Sequence, residues 1–167
     1  MAEAVVRRVT MADAAMARAL RLEMLADAPL AFLETIDEAA ARPHAEFAAK
    51  LRERVAGNAQ ALFVAAADGR LVGQAGGFTP PGTRGVTLVF AVYLAPTWRG
   101  RGLLGRLVDA VAQWSLAAGR PELELEVMTG NQRAIRAYQG LGFVDTGLRS
   151  RHPVIPVFTE LKMRRPA

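Results

Sequence analysis

The chain has 167 residues, 51% of them hydrophobic and 22% charged, with 21 basic against 16 acidic side chains and a net charge of +5. That length and apolar content fit one domain with a buried core, taken as residues 3–165, and exclude a disordered chain. There is no cysteine, and the two histidines, His44 and His152, lie far apart, so disulfides and thiolate sites are excluded and no metal site is expected. Every basic residue except Lys50 and Lys162 is arginine, and the modest positive excess suits an anionic ligand, either a phosphorylated cofactor or a nucleic acid. The first twenty residues hold no signal-like apolar stretch, and no segment reaches the ~20 continuous apolar residues of a membrane span. The expectation is a soluble cytoplasmic protein with no membrane partner.

The elements follow in chain order. Residues 5–9 are short and β-branched, a first strand. Thr10 with Asp13 resembles a capping box opening a helix over 11–26, with Met16, Leu20 and Met24 on its apolar stripe and Pro29 beyond its end. A second helix is expected over 35–56, with Phe47, Leu51 and Val55 on one face and Gly57-Asn58 as its stop. The period then changes to two. Residues 61–67 and 71–78 read as a hairpin turned by Asp68-Gly69. A loop at Pro80-Pro81-Gly82 leads to a strand over 85–94, apolar on both faces and therefore central. A helix over 103–118 turns Leu104, Leu107, Val108, Val111 and Trp114 inward and stops at Gly119. Residues 123–127 alternate strictly, 131–141 form a short helix, and 143–148 and 157–163 are two last strands. The order β, α, α, β, β, β, α, β, α, β, β implies a mixed sheet with helices on its faces.

Residues 100–105 match G-x-G-x-x-G between a strand and a helix. Glycines there let backbone approach a ligand closely, amides at a helix start point at an anion, and Arg99, Arg101 and Arg106 add positive charge. A pyrophosphate-bearing ligand fits this chemistry. A nicotinamide-dependent oxidoreductase is one reading, with Glu122 or Glu124 at the place of the ribose-binding acid. Against it, five residues separate the strand from the loop, and the loop follows a meander instead of opening a parallel array. A solvated glycine turn and a non-catalytic ligand-binding module stay open at this point. Nucleic-acid binding is disfavoured because Trp98 is the lone aromatic beside the arginine cluster.

Residues 98–107, WRGRGLLGRL, resemble the acetyl-CoA pyrophosphate loop of the GNAT acetyltransferase superfamily, Gln/Arg-x-x-Gly-x-Gly/Ala, starting at Arg99. Residues 131–143, NQRAIRAYQGLGF, resemble its N-x-x-A-x-x-x-Y-x-x-x-G-F segment throughout. One departure is Leu104, where the loop pattern carries Gly or Ala; its backbone N–H is retained, and its side chain is expected to turn away from the cofactor. The resemblance spans nearly the whole chain and implies an α/β fold with a mixed, mostly antiparallel sheet, helices on both faces and two splayed central strands. It implies an acetyl-CoA-dependent amine N-acetyltransferase, the co-substrate lying along Val92, Tyr93 and Leu94, with its pyrophosphate on Arg99, Gly100, Arg101, Gly102, Leu103, Leu104 and Gly105. Asn131 and Ala134 would flank the pantetheine arm. Tyr138 would stand near the sulfur as general acid, and Glu126 would be the base, with a bound water as the alternative.

The resemblance implies a primary amine as acceptor, on a small molecule or a protein N-terminus, and a homodimer is left open. Phe32 and Glu34 are the acceptor-binding candidates, because residues 30–38 set carboxylates beside an apolar wall. Asp37 and Glu38 also suit the start of a helix.

Overall fold

The computed structural model describes residues 3–167. Seven strands form one sheet in the order β1-β2-β3-β4-β5-β7-β6. They are β1 (Val5–Arg8), β2 (Gln60–Ala67), β3 (Arg70–Phe78), β4 (Val86–Leu94), β5 (Glu122–Met128), β6 (Val144–Arg151) and β7 (Thr159–Pro166). Five helices accompany them: α1 (Ala14–Asp27), α2 (Ile36–Ala41), α3 (His44–Arg52), α4 (Leu103–Ala117) and α5 (Gln132–Gly140). Among the described residues, none of these helices is long and apolar enough to cross a membrane.

The β2–β3 hairpin turns where expected, with Asp68 at φ 51° and Gly69 at φ 74°, the doubly left-handed geometry of a two-residue turn. The Thr10–Asp13 box forms as well, Thr10 N donating to Asp13 Oδ2 at 2.8 Å, but it opens a short 3₁₀ turn, Met11–Asp13, ahead of α1. The single helix expected over 35–56 is instead two, α2 and α3. Pro43 has no N–H to give and holds Arg42 extended at ψ 129°, so the helix ends and restarts. Glu38 completes a capping box with Thr35 at the start of α2.

The sheet carries helices on both faces. A Cβ on Gly77 would lie 2.9 Å from both Val111 and Trp114, so α4 packs closely on that side of β3. Gln74, three residues earlier, points to the opposite face and borders a chamber with Ala17 and Arg21 of α1. The core gathers Leu107, Val108 and Val111 of α4, Leu20 and Met24 of α1, and Leu123, Leu125 and Met163 of the sheet.

Only β4 and β5 run parallel, and they pair at three positions, Val86↔Glu122, Thr87↔Leu123 and Leu88↔Glu124. Beyond Leu88 they part. At the paired end a buried ring of hydrogen bonds fastens them: Arg120 Nε donates to Thr87 Oγ1 (2.8 Å), Thr87 Oγ1 lies 2.7 Å from Ser115 Oγ, and Ser115 Oγ donates to Arg120 O (2.7 Å). At the open end β4 carries a bulge. The register jumps from Gln74↔Tyr93 to Gly76↔Phe90, and Ala91 adopts φ 50°. A non-glycine residue there costs about 1–2 kcal/mol. The buried Gln74 side chain holds the bulge, Nε2 donating to Ala91 O at 3.0 Å. This topology speaks against the dinucleotide reading of the glycine loop, because the one parallel unit, β4–α4–β5, is flanked by antiparallel β3 and β7 and does not continue into a parallel array.

Replacing Gln74 by Leu keeps the volume and deletes the clamp. The expected loss is about 1–2 kcal/mol, from the half-buried Ala91 carbonyl left without its partner. Thermal denaturation should show a Tm lower by roughly 2–6 °C, and an unchanged Tm would show that the bulge holds itself.

Candidate functional site

The parting of β4 and β5 leaves a cavity of about 350 Å³ between them. Its walls include Val92, Tyr93 and Leu94 on one side and Leu125 to Met128 on the other. Asn131, Ala134 and Tyr138 of the α5 segment and Arg99, Gly100 and Leu104 of the glycine loop complete its lining. Leu104, expected to turn away, is half-buried and borders the cleft. The remaining loop residues lie outside this lining. Leu103 is buried in the core, and Gly105 packs so that a Cβ would meet Leu141 at 3.3 Å.

The loop still offers its backbone. Gly102 caps α4 at φ 74°, and the first intrahelical donor is Arg106 N, to Gly102 O at 3.3 Å. The amides of Leu103, Leu104 and Gly105 precede that donor and are therefore open at the positive end of the helix. The arginines divide their work. Arg99 does not lend its charge freely to this end: Nε donates to Leu94 O (2.9 Å) and Nη2 to Asp27 (2.7 Å), and the guanidinium lies over Tyr93. Arg101 stacks on Trp98 at 5.3 Å, and Arg106 meets Glu3 only at 4.0 Å.

Asn131 is the N-cap of α5, Oδ1 accepting from Ala134 N at 3.2 Å, which leaves its Nδ2 amide as the group free to donate. Tyr138 packs edge-on against Phe143 at 5.7 Å, and its hydroxyl makes no hydrogen bond among the described residues. Burial pushes the Tyr138 phenol up to about 12. It therefore keeps its proton throughout the neutral range.

Glu124 and Glu126 share a face of β5 yet differ in circumstance. Glu124 lies where β4 still pairs, and it accepts from Arg164 Nε (2.8 Å) and Lys162 Nζ (3.0 Å). Burial alone would raise its carboxyl, but those hydrogen bonds hold it below the usual range. Glu126 lies two residues past the split, exposed in the cleft. Lys162 stands directly opposite it in the ladder but spends its charge on Glu124.

Two groups missed by sequence reasoning accompany Glu126. Glu160 of β7, diagonal to Glu126 across the ladder, borders the same cavity, and its carboxyl is raised by burial and then by Glu126, against a smaller opposing pull from His152. His152 is buried, its Nδ1 accepting from Val154 N (3.2 Å) and Ile155 N (3.0 Å), so Nε2 carries the proton and lies 3.9 Å from Glu160 Oε1. Only the cross-strand register of β5 and β7 brings Glu160 to Glu126. No pattern within either strand signals it.

A second cavity, of about 660 Å³, adjoins the first, and Phe32, Phe90, Glu126 and Glu160 border both. Phe32 has Arg21 over its ring at 5.6 Å. Glu34 does not offer a free carboxylate. Arg21 holds one oxygen at 3.0 Å and Arg42 pairs with the other, so its charge is already neutralised.

The family model described as the acetyltransferase (GNAT) family matches residues 23–143. A probable N-acetyltransferase of the mouse, Mus musculus (family 8 member 5), is 33% identical over 97 residues, 56% of this chain and 43% of that protein. The chain spans less than half the length of the curated relatives it matches. A solved GNAT-family acetyltransferase from Streptococcus pneumoniae shares the fold at TM-score 0.79 and 21% identity, covering 98% of this chain and 99% of that one. A putative acetyltransferase from Salmonella typhimurium, solved with acetyl-CoA, does so at TM-score 0.78 and 16% identity, covering 99% of this chain and 94% of that one.

The loop geometry separates two substitutions. Gly102→Val forces a branched side chain to φ 74°, a strain of about 1–2 kcal/mol, and crowds the amide cradle. Arg101→Ala removes its charge and its stacking on Trp98 and leaves the loop backbone as it is. Calorimetric titration with coenzyme A should show Gly102→Val at least roughly tenfold weaker than Arg101→Ala; equal, small effects would move the anion site elsewhere.

Proposed function

The chain belongs to the acetyltransferase (GNAT) family, and we propose that it transfers the acetyl group of acetyl-CoA to a primary amine by direct attack. The observation that carries this reading is the meeting of two cavities at Glu126, where β4 and β5 part. The first cavity takes the acetyl-pantetheine arm, along the unpaired edge of β4 at Val92, Tyr93 and Leu94. The open amides at the start of α4 take the pyrophosphate, a task backbone N–H groups perform without a side-chain charge. Arg99 serves as a strut, tying the loop to Leu94 and α1. Asn131 Nδ2 donates to the arm, and Ala134 supplies wall. The second cavity admits the amine.

The ammonium loses a proton to Glu126, directly or through one water, with Glu160 beside it to share that proton. The freed nitrogen attacks the thioester carbonyl, the C–N bond forming as the C–S bond breaks, and the second proton this nitrogen must shed to become an amide passes to solvent. The departing thiolate takes its proton from the Tyr138 hydroxyl, which a pKa of about 12 keeps loaded. Tyr138 is then reprotonated from solvent. The burial that raises its pKa also brings no competing hydrogen bond from the described residues, so the hydroxyl is left for the sulfur.

Tyr138→Phe keeps the ring against Phe143 and deletes the hydroxyl. Turnover should fall of order 10²-fold, with acetyl-CoA affinity little changed. Unchanged turnover in single-turnover chemistry would reduce Tyr138 to a packing residue.

Glu126→Gln preserves shape and removes the proton acceptor. The rate should fall most near neutral pH and recover partly as pH rises and more of the amine arrives deprotonated. An overlay of its pH–rate profile on that of the wild type would sink the assignment. Glu124→Gln should behave otherwise, because it strips Lys162 and Arg164 of their partner: its loss should be in Tm, not in the shape of the profile.

A further inference from the structure

Making an amide from an ammonium takes two protons off the nitrogen, one before it attacks and one from the tetrahedral adduct. The junction of the two cavities holds two carboxyls. Among the described residues, Glu126 and Glu160 are the only ionisable groups that border both cavities. The register explains why they meet. Glu126 pairs with Lys162 and Met128 with Glu160, which sets the two glutamates diagonally on one face of the β5–β7 ladder. Diagonal neighbours on a sheet are within reach of each other's long side chains.

Their surroundings leave both carboxyls able to take a proton. Lys162, on the same face, is spent on Glu124 at 3.0 Å, and Ser150, opposite Glu160 on β6, carries no charge. Across the second cavity Arg21 and Arg42 are spent on Glu34, and Lys50 and Arg54 border that cavity without an ion pair to either carboxyl. The basic group beside Glu160 is His152, its Nε2 at 3.9 Å from Oε1. His152 cannot receive a proton from that side, because Nε2 already carries one and Nδ1 accepts from Val154 N and Ile155 N. A proton that reaches Glu160 therefore stays on its carboxyl until it returns to water in the cavity. Burial and the like charge of Glu126 make Glu160 a stronger proton acceptor than an ordinary glutamate.

We propose that Glu160 is the second proton acceptor of the reaction: Glu126 takes the proton that frees the nitrogen, and Glu160 takes the proton shed by the tetrahedral adduct on its way to solvent. This rests on the acetyl-transfer reading above and completes its proton count. The ammonium loses two protons, the C–N bond forms, the C–S bond breaks, and the thiolate gains one proton from Tyr138, which solvent restores. One proton is released per turnover. An amine that arrives neutral sheds only one, so either carboxylate alone then suffices.

The test uses the full chain with saturating acetyl-CoA and two acceptors of similar shape at neutral pH, 2-phenylethylamine, which arrives as an ammonium, and phenylhydrazine, which arrives neutral. Coenzyme A release is followed with the enzyme-free rate subtracted, and acetyl-CoA binding is measured separately by calorimetry. Glu160→Gln should lower kcat for 2-phenylethylamine at least roughly tenfold and kcat for phenylhydrazine less than about twofold. Glu126→Gln should show the same split, and the double variant should slow both amines. Glu160→Asp, which keeps the carboxyl on a shorter arm, should recover part of the loss. The buried charge of Glu160 is unfavourable in the fold, so Glu160→Gln should melt no lower than the wild type at neutral pH; if it fails to fold, Glu160→Asp carries the comparison with an intermediate split. A packing role would slow both amines alike. The proposal is overturned by equal effects on the two amines, by no effect on either, by a fall carried by KM alone, or if either amine goes unacetylated by the wild type. Those outcomes leave the transferase reading standing, whereas failure of acetyl-CoA to bind would overturn both.

Discussion

One hydrogen bond, from Gln74 to the carbonyl of Ala91, stands under most of what this molecule can do. It stabilises a backbone conformation that alanine disfavours, and that conformation carries an extra residue in β4. A strand so kinked cannot follow its parallel neighbour. β5 continues straight in its pairing with β7, β4 veers off, and peptide groups that a sheet would normally satisfy face a cavity instead. The site is thus a place where the sheet is left unfinished, with α4 and the Thr87–Ser115–Arg120 ring preventing the defect from spreading to the paired end.

Charge is distributed with the same economy. Lysine or arginine pairs with Glu122, Glu124 and Asp145 of the sheet, yet bypasses Glu126 and Glu160. Lys162 faces Glu126 across the ladder and reaches past to Glu124. The effect is a carboxylate pair, Glu126 and Glu160, without a fixed cation in a partly desolvated setting, where a passing ammonium is the strongest available partner. Arg99 shows the converse. Its motif position suggests an anion-binding side chain, and its contacts show a structural tie between the loop, β4 and α1.

Much of this architecture was legible in the sequence wherever the information is local. Asp68-Gly69 specifies a turn by its own backbone preferences, and alternation over 123–127 specifies which side chains are apolar-facing. Pro43 was equally local and would have divided the helix over 35–56 had its missing N–H been weighed. The rest depends on register. Glu124 and Glu126 look alike in an alternating strand, and only the position at which β4 departs makes one structural and the other accessible. Ala91 carries no mark of a left-handed residue, since the bond that sustains it comes from Gln74 on another strand. Glu160 and Arg54 meet the cavity through pairings and packing that no spacing within their own segments encodes.

The three residue pairs that join β4 to β5 also bear on how the molecule opens. On one side of that seam β1 to β4 are linked as an antiparallel meander, and on the other β5, β6 and β7 pair within residues 122–166. Contact order does not single out the seam, since Val86 and Glu122 are nearer in sequence than Val5 and Ala66 or Glu122 and Pro166; what sets it apart is how few residue pairs hold it. A region held by few non-local bonds is also the first to open in native-state fluctuations. Any ligand that touches both walls therefore acts as a staple across the least stable boundary in the chain, and its occupancy should register as slowed amide exchange in β4 and β5 together.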